Sequence, residues 1–72
     1  MEAKEIKQNV ELLSNGKMFV IPESDYGKAE IWRVNDLYVV FEIPWLGGKP
    51  MFFKTYRVSQ IEEMILEILS LT

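Results

Sequence analysis

The 72-residue chain contains no cysteine and no histidine. The first absence removes disulfides and thiolate chemistry as ways to staple a small fold, and it fits a reducing compartment, so the cytoplasm is the expected location. Together the two absences exclude imidazole acid–base catalysis, serine–histidine triads, thiol nucleophiles and the usual zinc ligands within this chain. No apolar run approaches the roughly 20 residues that span a bilayer, and Glu2, Lys4, Glu5 and Lys7 interrupt any signal-peptide pattern at the start, so no membrane association is expected. An excess of basic charge is also missing. Eleven acidic residues against eight basic ones give a net charge of -3, which repels a phosphate backbone.

What is present describes an ordinary folded protein. With 49% hydrophobic and 26% charged residues, the composition lies far from that of disordered chains. The length allows one hydrophobic core, so residues 1–72 are read as a single small domain, with a stability of about 4 to 10 kcal/mol.

Residues 2–14 place Ala3, Ile6, Val10 and Leu13 at alternating three- and four-residue steps among charged and polar neighbours, the pattern of a helix with a narrow buried stripe. Asn15 and Gly16 tolerate left-handed backbone, which predicts that the helix stops there with Gly16 past its C-cap. Residues 17–21 read as a short strand closed by Pro22, and 23–27 as a loop. Two β-rich runs, 28–34 and 37–43, flank Asn35 and Asp36 and predict a hairpin with a type I′ turn. That turn pairs Val34 with Leu37, Trp32 with Val39, Glu30 with Phe41 and Lys28 with Ile43 on one face. On the other, Arg33 meets Tyr38, Ile31 meets Val40 and Ala29 meets Glu42. The more apolar set, with Trp32, Val34, Leu37, Val39, Phe41 and Ile43, is expected to be the core face.

Residues 44–50 hold two prolines and the pair Gly47 and Gly48, read as a loop with positive-φ glycines; a further strand is expected at 51–56. Ser59 followed by Glu62 reads as a capping box for a second helix. Its stripe of Ile61, Met64, Ile65, Ile68, Leu69 and Leu71 covers an arc of roughly 160° and leaves Leu66 outside. The predicted class is α+β, in α-β-β-β-β-α order, with an antiparallel four-stranded meander and both helices packed on one face. This order resembles, in topology only, the double-stranded RNA-binding fold. The fourth strand is extra, and the second helix opens Gln60-Ile61-Glu62-Glu63 where that family places a basic cluster against phosphates, so the family's function does not carry over.

Few residues suggest chemistry. Glu63 and Glu67 stand one helical turn apart, but a hard-cation site needs several more oxygen ligands than are placed nearby. Gly47-Gly48-Lys49 lacks the leading glycine, the following Ser or Thr and the helix of a phosphate loop. No catalytic residue, metal or cofactor is therefore expected. The expected function is that of a protein-interaction module, whether homodimer, subunit or inhibitor-type binder, without activity of its own. Its candidate surface is the sheet face opposite the helices: Ile31, Arg33, Tyr38 and Val40, joined by Lys54 and Tyr56, with Trp45 as either a core cap or an exposed anchor. Aromatic rings beside cations on an open sheet also suit single-stranded nucleic acid, the alternative reading, against which the net charge weighs.

Overall fold

A computed structural model describes residues 2–21, 27–44 and 48–70. Helix α1 (Ala3–Glu11) is followed by strands β1 (Met18–Ile21), β2 (Gly27–Val34), β3 (Leu37–Pro44) and β4 (Met51–Arg57). A 3₁₀ turn (Val58–Gln60) then leads into helix α2 (Ile61–Leu69). The strands form one antiparallel sheet in the order β1-β2-β3-β4, which is the expected meander. Both helices lie on one face of it, where Ile6 and Val10 of α1 and Met64, Ile65 and Ile68 of α2 join a single buried cluster.

The β2–β3 register is the one the turn predicts, from Val34 opposite Leu37 to Lys28 opposite Ile43. The turn itself differs. Asn35 has a φ of 55° and Asp36 has none in the positive region, whereas type I′ requires positive φ at both. Tertiary bonds hold this turn: the Asn35 amide donates to Asn15 Oδ1 at 2.8 Å, and the Asp36 carbonyl accepts from the Val58 amide at 3.1 Å. The hairpin tip thereby links the exit of α1 to the entry of α2.

Helix α1 ends at Glu11, earlier than the stripe predicts, because the amides of Leu12 and Leu13 turn back to the carbonyls of Asn9 and Val10 in tighter three-residue closures. Gly16, with a φ of 82°, therefore does not cap the helix. Its amide donates to the Arg33 carbonyl at 2.8 Å, and the Arg33 amide donates to the Lys17 carbonyl at 2.9 Å, so Gly16 turns the chain into the sheet. Positive φ is not what Gly48 supplies either. A Cβ there would sit 2.7 Å from Pro44 Cγ, so the requirement is steric. Gly47 and Trp45 lie outside the described residues, as do most of the 23–27 loop and Leu71.

Ser59 is not the cap of α2. It sits inside the 3₁₀ turn, and the Gln60 side chain closes this corner instead, its Oε1 accepting from the Arg57 amide at 2.9 Å and its Nε2 donating to Glu63 Oε2 at 3.1 Å. Ser59→Ala is accordingly expected to change stability by less than about 0.5 kcal/mol, while Gln60→Ala costs about 1 kcal/mol. Urea melts of the two variants check the assignment, and a larger loss for Ser59→Ala would restore Ser59 as the cap.

The largest departure from expectation is the identity of the covered face. Ile31, Tyr38 and Val40 are buried under the helices with Ala29, Ile21 and Tyr56, and Trp32, Val34, Leu37, Val39, Phe41 and Ile43 lie on the open side. The edge strands decide this. β1 sets Phe19 beside Ile31 and Ile21 beside Ala29, and β4 sets Tyr56 beside Tyr38, so all four strands contribute core side chains to this face. On the other face β4 contributes Thr55 opposite Val39 and Arg57 opposite Leu37, which are polar. A bulge in β4 strengthens the bias. Val40 faces Lys54 and Phe41 faces Phe52, which leaves Phe53 as an extra residue packed against the core.

Candidate interaction surface

Most of the candidate surface residues are thus core or rim, and the expectation that they form an open patch is corrected. Ile31 and Val40 are fully buried, and Tyr38 and Tyr56 are 1% exposed. Arg33 and Lys54 lie at the margins of this covered face. The Arg33 guanidinium stands 5.7 Å from the Tyr38 ring centre and donates from Nε to the Asn35 carbonyl. The Lys54 ammonium stands 5.0 Å from the Tyr56 ring centre and pairs with Glu67 at 2.9 Å. Each cation thus stands over the ring of one core tyrosine with favourable electrostatics. Of the seven candidate positions, only Trp45 has no described placement.

The Tyr56 hydroxyl is buried without a hydrogen-bond partner. Burial pushes its pKa up to about 12, and the charge of Glu67, a carboxylate already engaged by Lys54, acts in the same direction. Burial also raises the Tyr38 phenol, against the opposing charge of Arg33. Neither group points to chemistry near neutral pH.

The open face of the sheet carries the residues that reasoning from sequence assigned to the core. Met18 is 42% exposed, Val34 40% and Phe52 63%. Trp32, Leu37, Val39, Phe41 and Ile43 are half-buried because they shield one another across the strands. Phe41 and Phe52 meet edge to face with ring centres 6.2 Å apart, a favoured aromatic geometry. Trp32 donates its indole N–H to Glu30 Oε1 at 3.2 Å. The charged residues of this face, among those described, are Lys28, Glu30 and Arg57. The strands run four, eight, eight and seven residues, so at roughly 3.3 Å per residue and about 4.8 Å between strands the face, its polar residues included, measures roughly 430 Å². That area, its polar residues included, is no larger than the largest apolar patch of an ordinary soluble monomer, a patch that is often functional.

Other candidates are weaker. Glu63 and Glu67 already hold Gln60 and Lys54. Among the described residues no three His, Cys, Asp or Glu side chains gather as a metal site, and no helix is long and apolar enough to cross a membrane. A groove of about 300 Å³ between α1 and α2 is lined by Ala3, Lys4, Lys7, Glu62, Ile65 and Leu66. The Lys7–Glu62 pair at 2.8 Å joins its two walls, and each partner holds the other's pKa away from neutrality, Lys7 raised and Glu62 lowered.

Comparison of the chain with protein-family models, with curated proteins and with solved structures finds no match. The fold defines an α+β protein with one sheet face covered by two helices and the other covered by no element among the described residues.

Proposed function

We propose that this chain is a protein-interaction module that docks through the open face of its sheet, acts in the cytoplasm and carries no catalytic activity of its own. The observation that carries the reading is the aromatic and aliphatic surface of Trp32, Val39, Phe41 and Phe52, which no element of the described chain covers. Its core of rings and branched aliphatics with a sparse charged margin matches the anatomy of protein interfaces. The cytoplasmic assignment is supported by the lack of cysteine.

The same aromatic side chains favour single-stranded nucleic acid as the second reading, since bases stack on rings of any kind. The net charge of -3 over the whole chain weighs against it, although Lys28 and Arg57 share this face with Glu30.

Val39→Glu tests the proposal. Val39 is half-buried on the open face between Trp32 and Thr55, so the variant is expected to stay folded with a loss of about 1 kcal/mol. A charge there should abolish any association that covers the face. Affinity capture from the native host with wild-type and variant baits, together with light scattering on each, provides the comparison. A partner held by both baits, with Val39→Glu folded, would remove this face as the docking surface. Retention on immobilised oligothymidylate that falls steeply with salt would instead favour the nucleic-acid reading.

A further inference from the structure

We infer that Asn15 is a site of spontaneous covalent modification, converting to aspartate and isoaspartate with loss of ammonia, and that the fold holds this reaction shut until the turn at residues 14–17 opens. Asn15 is the asparagine that precedes a glycine; Asn9 precedes Val10 and Asn35 precedes Asp36. Beside glycine the reaction is least hindered, because no Cβ crowds the attacking amide.

The chemistry needs only water as a co-reactant. The Gly16 amide nitrogen gives its proton to solvent base and attacks Cγ of the Asn15 side chain. A bond from nitrogen to Cγ forms, the bond from Cγ to Nδ2 breaks, and Nδ2 takes up a proton and leaves as ammonia. The product is a cyclic imide. Water opens it at either carbonyl, which gives aspartate or, with the main chain rerouted through Cγ, isoaspartate. Nothing is oxidised or reduced, and each product adds a negative charge to a chain already at -3.

Position decides when the reaction runs. Asn15 and Gly16 are both exposed, so solvent base and water reach them, whereas Asn9 lies in α1 with its Nδ2 donating to the Glu5 carbonyl at 2.8 Å. The Lys17 amide donates to the Ser14 carbonyl at 3.1 Å. With a φ of 82° at Gly16 and none in the positive region at Asn15, residues 14–17 form a type II turn. That turn sets the ψ of Asn15 to about 120°, where the Gly16 nitrogen eclipses Hα of Asn15 instead of Cβ and so points away from Cγ. The Gly16 N–H is also engaged by the Arg33 carbonyl at 2.8 Å, and Asn15 Oδ1 accepts from the Asn35 amide at 2.8 Å. Swinging the Gly16 nitrogen onto Cγ therefore breaks the turn and detaches it from β2. An aspartate at this position still offers an oxygen to the Asn35 amide. An isoaspartate inserts an extra main-chain carbon, which shifts Gly16 out of register with Arg33 and frees the exit of α1 from the hairpin tip.

Mass spectrometry with peptide mapping tests this on the full chain, incubated in mildly alkaline buffer either folded or in guanidinium chloride at the same pH. The unfolded chain is expected to gain about 1 Da at Asn15 before Asn9 or Asn35 changes. In the folded chain the same conversion should be slower by about tenfold or more, because only openings of the turn permit it. The isoaspartate form, separated by chromatography, is expected to exchange its Gly16 and Asn35 amides with solvent about tenfold faster than the unmodified chain, while Asn15→Asp keeps them protected. Equal conversion rates in the folded and unfolded chain would overturn the guarding role of the turn. Earlier conversion at Asn9 or Asn35 would overturn the site itself, and unchanged amide exchange in the isoaspartate form would overturn the release of the hairpin tip.

Discussion

Val40→Glu is expected to abolish folding, whereas Val39→Glu, one residue earlier in the same strand, leaves the fold intact. Val40 is fully buried beneath the helices, opposite Ile31 on one side and Lys54 on the other. A carboxylate placed there loses its hydration, and Lys54 cannot readily compensate, because its ammonium is held at the surface by Glu67 at 2.9 Å. An uncompensated buried charge costs about 3–5 kcal/mol, and the volume and shape of the valine are lost as well. A domain of this length has about 4 to 10 kcal/mol in total. The expected result is a far-ultraviolet circular dichroism spectrum without a cooperative thermal transition for Val40→Glu, beside a native spectrum and a sharp transition for Val39→Glu. The reverse outcome would place the helices on the other side of the sheet and return Ile31, Tyr38 and Val40 to the surface.

The second large effect lies at high pH. Tyr56 has its pKa raised by burial from about 10 to about 12, and Tyr38 is raised in the same direction. A raised folded-state pKa contributes stability that is fully present below the unfolded value and is lost as pH rises through the folded one. The loss therefore begins near pH 10 and is complete above about pH 12, and for Tyr56 alone it amounts to about 2–3 kcal/mol. Lys7 and Lys54 are raised by their carboxylate partners, so their contributions also disappear in the alkaline range. Between about pH 6 and 8 stability should be nearly flat, since no shifted group among the described residues titrates there. Tyr56→Phe separates the phenol from the lysines. It removes a buried hydroxyl that has no partner, so at pH 7 it is expected to be neutral or stabilising by about 1 kcal/mol. It should also move the alkaline transition upward. A variant that loses 2 kcal/mol or more at pH 7 would show that the hydroxyl is satisfied after all.

The candidate site was legible in its parts but not in its placement. Alternation along residues 28–34 and 37–43 determined which side chains share a face, and the two-residue turn determined which pairs stand opposite, down to Lys28 and Ile43. The set Trp32, Val39 and Phe41 was thus recognised as one apolar surface from sequence, and only its covering was misassigned. Ser59 misled for a related reason. A Ser-x-x-Glu spacing signals a helix start only where the backbone places the hydroxyl over the first turn, and here a 3₁₀ turn intervenes.

Taken alone, the sequence determined the order of elements, the meander, the hairpin register, the centres of both helix stripes, Ile6 and Val10 in α1 and Met64, Ile65 and Ile68 in α2 though not the exposed Ala3, and the exclusion of histidine and cysteine chemistry, because these depend on local periodicity and on residue type. The tertiary structure decided which face the helices cover. A strand with apolar residues on both sides is degenerate under a period of two. What breaks the tie is the sum over strands distant in sequence: Phe19 and Ile21 of β1, with Tyr56 and the bulged Phe53 of β4, complete one face, while Thr55 and Arg57 weaken the other. No local pattern contains that sum, because it exists only once the edge strands have paired.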